Sequence, residues 1–156
     1  MTLLVRVERL LRPLIQLSFR WRRGLTLGVR GLVLDAEGRV LLIEHTYLEG
    51  WHMPGGGVER GETALQALER ELEEEAGVRL TAPPALVSVH SNHQAFRGDH
   101  VLVYRIDQWE ACPATSRGEI RRVGWFSPQD LPETATRATR ARVAEVLSSG
   151  TPDGLW

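Results

Sequence analysis

Five glutamates, Glu69, Glu71, Glu73, Glu74 and Glu75, crowd the stretch just before Gly77. They read as the last two turns of a helix that Gly77 ends as a left-handed C′ residue. Carboxylates at that end oppose the helix dipole by about 0.3–1 kcal/mol each. Like charges four residues apart add a few tenths of a kcal/mol per pair, roughly. A segment that breaks local rules this openly usually serves a site. The simplest compensator is a divalent cation, because hard ions of the Mg²⁺ type bind carboxylate oxygen.

On regular helical spacing Glu71, Glu74 and Glu75, at i, i+3 and i+4, share one face, while Glu69 and Glu73 turn to solvent. Arg70 is placed to lock one carboxylate through a bidentate contact. The run Gly55-Gly56-Gly57 lets the backbone approach closely, offering carbonyl oxygens to a metal or amides to a phosphate.

Positioning these groups requires a rigid frame. The helix is expected from about Glu62 to Ala76, with Ala64, Leu65, Leu68 and Leu72 as its buried stripe. Residues 25–34 and 39–46 read as the arms of a hairpin around the turn Asp35-Ala36-Glu37-Gly38. Trp51-His52-Met53 is a short strand stopped by Pro54. Further strands are expected at 85–91, 100–107 and 119–126, with 108–118 as a loop. A short capped helix at 127–131 and a longer one at 134–148 complete the pattern, which is that of one mixed α/β domain, α+β in detail, over residues 24–149. The tail, 150–156, is expected to be loose, with Leu155 and Trp156 able to dock.

Residues 1–23 follow helical spacing but carry six Arg against one Glu. Pro13 should bend or split that helix. Charges interrupt every apolar run, which argues against a signal peptide or a membrane span. The segment is expected to pack on the domain or on a second copy in a homodimer. Contact of residues 1–22 with an anionic membrane surface is the other use such a basic helix has.

Composition narrows the class. With 42% hydrophobic and 25% charged residues the chain is an ordinary globular protein. A net charge of −1 argues against a generally basic nucleic-acid binder, so no specific nucleic acid is expected as partner. The single cysteine, Cys112, excludes an intramolecular disulfide and any Cys-based zinc cluster, and suits a reducing cytoplasm.

The stretch GGVERGETALQALERELEEEAGV, residues 56–78, resembles the signature of the Nudix (MutT-like) hydrolases, G-x5-E-x7-R-E-U-x-E-E-x-G-U, where U is bulky and apolar. Gly56, Glu62, Arg70, Glu71, Leu72, Glu74, Glu75, Gly77 and Val78 fill it without a mismatch. The resemblance implies a Nudix fold, a mixed β-sheet sandwiched between α-helices. It also implies Mg²⁺-dependent (or Mn²⁺-dependent) hydrolysis of a pyrophosphate linkage in a nucleoside diphosphate joined to another moiety. Carried over residue by residue, Glu71, Glu74 and Glu75 would be metal ligands, together with the carbonyl of Gly55. Arg70 would orient the glutamates and Glu62 would brace the loop-helix geometry. Glu71 or, from outside the signature, Glu119 would be the general base; His93 and His100 are further candidates. A catalytically silent nucleotide-binding sensor on the same fold is the alternative.

Substrate choice is less legible. Trp51, Phe96, Tyr104 and Trp109 are aromatic platforms on which a base could stack, with Trp51 and Phe96 preferred and Tyr104 expected in the core. Arg97 is placed to meet a phosphate. The proline that marks ADP-ribose hydrolases, about sixteen residues past the signature, is replaced by Gln94. Phe96 only partly matches the tyrosine of dinucleoside polyphosphate hydrolases. A nucleoside triphosphate, a nucleotide sugar or a dinucleoside polyphosphate all remain open.

Overall fold

The computed structural model describes residues 24–116, 118–148, 152 and 154–156; the expected N-terminal helix lies outside them. Among the described residues eight strands and two helices form, in chain order, β1 (Thr26–Val33), β2 (Val40–His45), β3 (Trp51–His52), α1 (Ala64–Glu71), β4 (Val78–Leu80), β5 (Ala85–Ser91), β6 (Asp99–Ile106), β7 (Trp109–Ala111), β8 (Ile120–Phe126) and α2 (Arg137–Leu147). A π turn, Leu72–Ala76, continues α1.

The strands are arranged as β1-β6-β5, β3-β2-β8 and the ribbon β4-β7. β1 runs parallel to β6; the other pairings between these named strands are antiparallel. Alternation explains why β1 and β2 are buried on both faces. Val29, Val33, Leu41 and Ile43 join Leu68 and Leu72 in one core cluster under α1. Leu32, Leu34, Val40 and Leu42 join Trp51, Met53 and Val143 in a second under α2. The expected sandwich of strands between helices is present.

Several local expectations are corrected. β1 and β2 do not form a hairpin beyond a single bridge, Leu34 to Val40. The reason is that the free edge of β1 is taken by residues 54–58. Val29 donates to the Gly56 carbonyl at 2.8 Å, Gly31 to that of Pro54 at 2.9 Å, and Val58 to that of Leu27 at 2.8 Å. Residues 108–118 are not all loop, because β7 pairs with β4. Residues 127–131 form a turn rather than a helix, closed by Asp130 donating to the Ser127 carbonyl at 2.9 Å.

α1 begins at Ala64, two residues later than expected. Thr63 caps it, accepting from the Gln66 amide while the Gln66 side chain accepts from the Thr63 amide. That start sets the stripe to Ala64, Ala67, Leu68 and Leu72; Leu65 is 39% exposed and Ala67 fully buried. Burying each of Leu68 and Leu72 is worth roughly 1.5–3 kcal/mol. That exceeds the ~0.3–1 kcal/mol which each carboxylate loses to the dipole, so the acidic helix end forms.

Candidate active site

The loop at residues 54–58 lies against both β1 and the end of α1, and two glycines make this approach possible. Gly55 has φ +137, and a Cβ there would press on the Val29 carbonyl group. At Gly56 a Cβ would meet the Glu71 carboxylate, 2.6 Å from its Cδ. The Gly55 amide donates to Glu75 Oε2 at 2.8 Å. Glu71 and Glu75 are thereby gathered against one short backbone segment.

Arg70 braces this arrangement. Its Nε and Nη2 fork onto Glu62, at 2.9 and 3.2 Å, while Nη1 donates to Glu71 Oε1 at 2.7 Å. Nη2 also reaches the Gly57 carbonyl at 3.2 Å. Glu62 in turn accepts from the Glu59 amide at 2.9 Å. The Arg70 contact holds the Glu62 carboxyl below its ordinary range, and Glu62 raises Arg70.

The regular-helix picture places Glu74 beside its two partners, and the π turn alters this. The Gly77 amide donates to the Leu72 carbonyl five residues back, so the chain advances less than ~100° per residue here. Glu75 therefore comes nearer to alignment with Glu71, and Glu74 lags behind. Glu74 is 45% exposed and sits 3.7 Å from Arg70, while Glu75 is only 6% exposed. Glu73 pairs with Arg79 at 2.8 Å and Glu69 is exposed, both at the surface as expected.

Burial pushes the Glu75 carboxyl up to about 7, against the opposing pull of the Gly55 amide and Arg30. Glu71 and Glu119 repel it further. Arg30 was not foreseen. On β1 it alternates with Val29 and Gly31, and its guanidinium donates to the Gly55 carbonyl. Burial lowers its pKa while Glu75 and Glu71 raise it; an arginine stays charged. The one signal for it was a lone cation inside the apolar run LGVRGLVL. His45 is buried, 3.9 Å from Glu75, and its Nδ1 has no hydrogen-bond partner among the described residues.

Among the described residues no three His, Cys, Asp or Glu side chains already surround one point as a metal cluster. The donor set nonetheless fits a hard cation. Two carboxylates and a carbonyl, all oxygen donors, adjoin, one carboxyl is buried at an energetic cost, and a guanidinium already sits on the carbonyl. Glu119 is exposed just before β8 with Ser116 Oγ at 3.5 Å, and its charge is felt at both Glu75 and His45.

Beside this centre a cavity of about 280 Å³ is lined by Arg30, Gly56, Gly57, Asn92, Phe96 and Trp156. Phe96 is 68% exposed there, and Arg97 is exposed in the same loop. Trp51 is not part of it. Its ring packs edge-on against Phe126 at 4.8 Å in the second core, because the strand alternation that leaves His52 half-buried turns Trp51 inward. Trp109 stacks on Trp125, and Tyr104 packs against the first core as expected. His93 bonds to Ser91 and His100 approaches the Gly98 carbonyl, both within the 91–100 region. A larger cavity of about 480 Å³, lined by Glu44, Tyr47 and Arg121 among others, includes none of the residues 55–78.

The buried carboxyl has a consequence for stability. Its folded pKa, about 7, lies above the ordinary 4.5. The folded state therefore holds a proton that the unfolded chain releases earlier. The favourable contribution is full below pH 4.5 and is lost as pH rises through 7, by about 3 kcal/mol in total. Denaturant unfolding in EDTA at pH 5 and pH 8 should show this loss, and Glu75→Gln should lack it. Parallel pH dependence of the two proteins would contradict the assignment.

Comparison with known proteins supplies the family. The NUDIX domain model matches residues 24–147. A MutT-like protein of Streptomyces ambofaciens is 30% identical over 127 residues, covering 81% of this chain and 80% of that protein. The 8-oxo-dGDP phosphatase NUDT18 of Mus musculus is 37% identical over 116 residues, which span 72% of this chain but only 36% of the relative. The crystal structure of a MutT NUDIX hydrolase from Burkholderia pseudomallei superposes with a TM-score of 0.67 at 29% identity, covering 78% of this chain and 97% of that one. Signature, fold and similarity agree, and the chain belongs to the NUDIX domain family.

Proposed function

We propose that this chain hydrolyses the pyrophosphate linkage of a nucleoside diphosphate derivative with Mg²⁺, or Mn²⁺, as its cofactor. The carrying observation is the junction of Glu71, Glu75 and the Gly55 carbonyl with a cavity that Arg30 also lines. Relatives named as MutT-like and as an 8-oxo-dGDP phosphatase make nucleoside di- and triphosphates the first substrates to try. Nucleotide sugars and dinucleoside polyphosphates come next.

Glu71, Glu74, Glu75 and the Gly55 carbonyl would hold the ion. When bound, it neutralises phosphate oxygens and acidifies water. Arg70, anchored on Glu62, keeps the Glu71 carboxylate aimed at the loop. Arg30 presents a cation to a phosphate on the cavity side. Water attacks phosphorus, the anhydride P–O bond breaks, and Glu71 or Glu119 accepts the water proton. The cavity, near the small end of the ~300–1,000 Å³ usual for ligand pockets, has room for the nucleoside part.

The test is a turnover screen over nucleoside di- and triphosphates, nucleotide sugars and dinucleoside polyphosphates with each ion. Release of a nucleoside monophosphate, or of a nucleotide and phosphate, is expected from at least one member. Absence of product across the panel would refute catalysis and leave the sensor reading.

A further inference from the structure

The tail residues dock where the substrate cavity needs a wall. Ser91, at the end of β5, donates to the Gly154 carbonyl at 2.8 Å, and Trp156 donates to that of Ser91 at 3.1 Å. Ser91 and Leu155 form a parallel bridge. Residues 154–156 thus add a short segment to the outer edge of β1-β6-β5.

Beneath it lies a buried polar group that the hydrolytic centre does not use. His90 is fully buried and Arg142 is 5% exposed. Arg142 Nη1 lies 2.7 Å from His90 Nδ1. A guanidinium only donates, so Nδ1 is the acceptor and His90 carries its proton on Nε2. That nitrogen faces Ser88 Oγ at 2.8 Å and Glu145 Oε1 at 3.1 Å. Burial and the Arg142 charge both lower the His90 pKa, in keeping with a neutral ring. Arg142 Nε pairs with Glu145 Oε2 at 3.0 Å, and Arg142 also donates to the Leu155 carbonyl.

Buried ion pairs add little net stability, and their best-attested use is to fix register. Here the register fixed is that of the tail. Its indole lies 6.0 Å from the His90 ring, edge to face, and 5.8 Å from the Arg142 guanidinium carbon. Trp156 also lines the cavity with Phe96, Arg30, Gly56 and Gly57. Trp156, held from behind, and the exposed Phe96 thus line the same cavity, and either offers a face on which a flat π system can stack.

We propose that Trp156, latched by His90, Arg142 and Glu145, is a substrate-positioning residue that stacks on the nucleobase and makes the tail a specificity element. This rests on the reading of the substrate as a nucleotide. The experiment is equilibrium titration of the full chain, in Mg²⁺, with guanosine 5′-monophosphate and with ribose 5-phosphate. It compares wild type with Trp156→Leu, which keeps apolar bulk, and Trp156→Phe, which keeps a π face.

Trp156→Leu should weaken guanosine monophosphate about tenfold and leave ribose 5-phosphate within about twofold. Trp156→Phe should recover most of the loss. Equal weakening of both ligands would mean a purely structural role and overturn the proposal. So would unchanged binding by Trp156→Leu, or no nucleotide binding by the wild type. Failure of the turnover screen with this pattern intact would refute catalysis alone.

Discussion

Glu75→Gln should lower kcat/KM by about 10³-fold with the fold intact, the scale on which removing one preorganised electrostatic group usually acts. The carboxylate is the most buried of the signature acids and accepts from the Gly55 amide through Oε2. Glutamine keeps an acceptor for that amide but carries no charge, so the loop should stay in place while affinity for a hard cation collapses. The variant should be no less stable in EDTA at pH 8, since the buried charge disfavoured there has gone. Kinetics over an Mg²⁺ titration, alongside denaturation, would decide it. Wild-type turnover at saturating Mg²⁺ would sink the catalytic assignment. Glu74→Gln should cost less, because that side chain is 45% exposed and lies at the rim.

The acidic cluster was legible because charge and periodicity are local properties, and its reading as a metal site came from the resemblance of nine residues at fixed spacing to a family signature. Alternation and helical spacing also located most strands and α1 without any partner being known. The errors arose where tertiary contacts choose between local options. The apolar runs of β1 and β2 with a good turn between them suit a hairpin, yet the loop at 54–58 competes for the same edge and wins it. Leu65 and Ala67 differ in burial because the Thr63 cap fixes the rotation of α1, not because of hydrophobicity. The π turn was invisible because its cause is the Gly77 amide bonding to Leu72, a choice that periodicity does not encode. Trp51 looked available beside a glycine loop, but the core took the larger surface.

Arg30 shows the same limit at the centre itself. Its position on β1 was read simply as part of a strand. The folded chain brings it onto the Gly55 carbonyl, where it partly balances the acids that looked unbalanced in isolation. The helix end is therefore tolerated through two means within the chain, buried leucines and a neighbouring cation. Neither removes the cost of Glu75, whose carboxyl still lies up at about 7. That residue is the point at which an added cation has most to gain.

Gly56→Ala should separate chemistry from folding more sharply than any acid-to-amide change. The Gly56 backbone is outside the left-handed region, so alanine suits it conformationally. Its methyl would, however, occupy the space of the Glu71 carboxylate, 2.6 Å from Cδ. That carboxylate ends a flexible side chain and can swing away, but doing so breaks its 2.7 Å bond to Arg70. The expected result is a fall in kcat/KM of about 10²-fold, with unfolding free energy changed by less than ~1 kcal/mol. Gly55→Ala supplies the contrast. There φ is +137 and the methyl would press on the Val29 backbone, which cannot swing aside. That variant should lose about 3 kcal/mol or more of stability, or fail to fold. Urea unfolding and steady-state kinetics of the two would discriminate. Equal destabilisation by both substitutions, or normal turnover by Gly56→Ala, would mean that the contact between the glycine loop and Glu71 does not position the catalytic carboxylate.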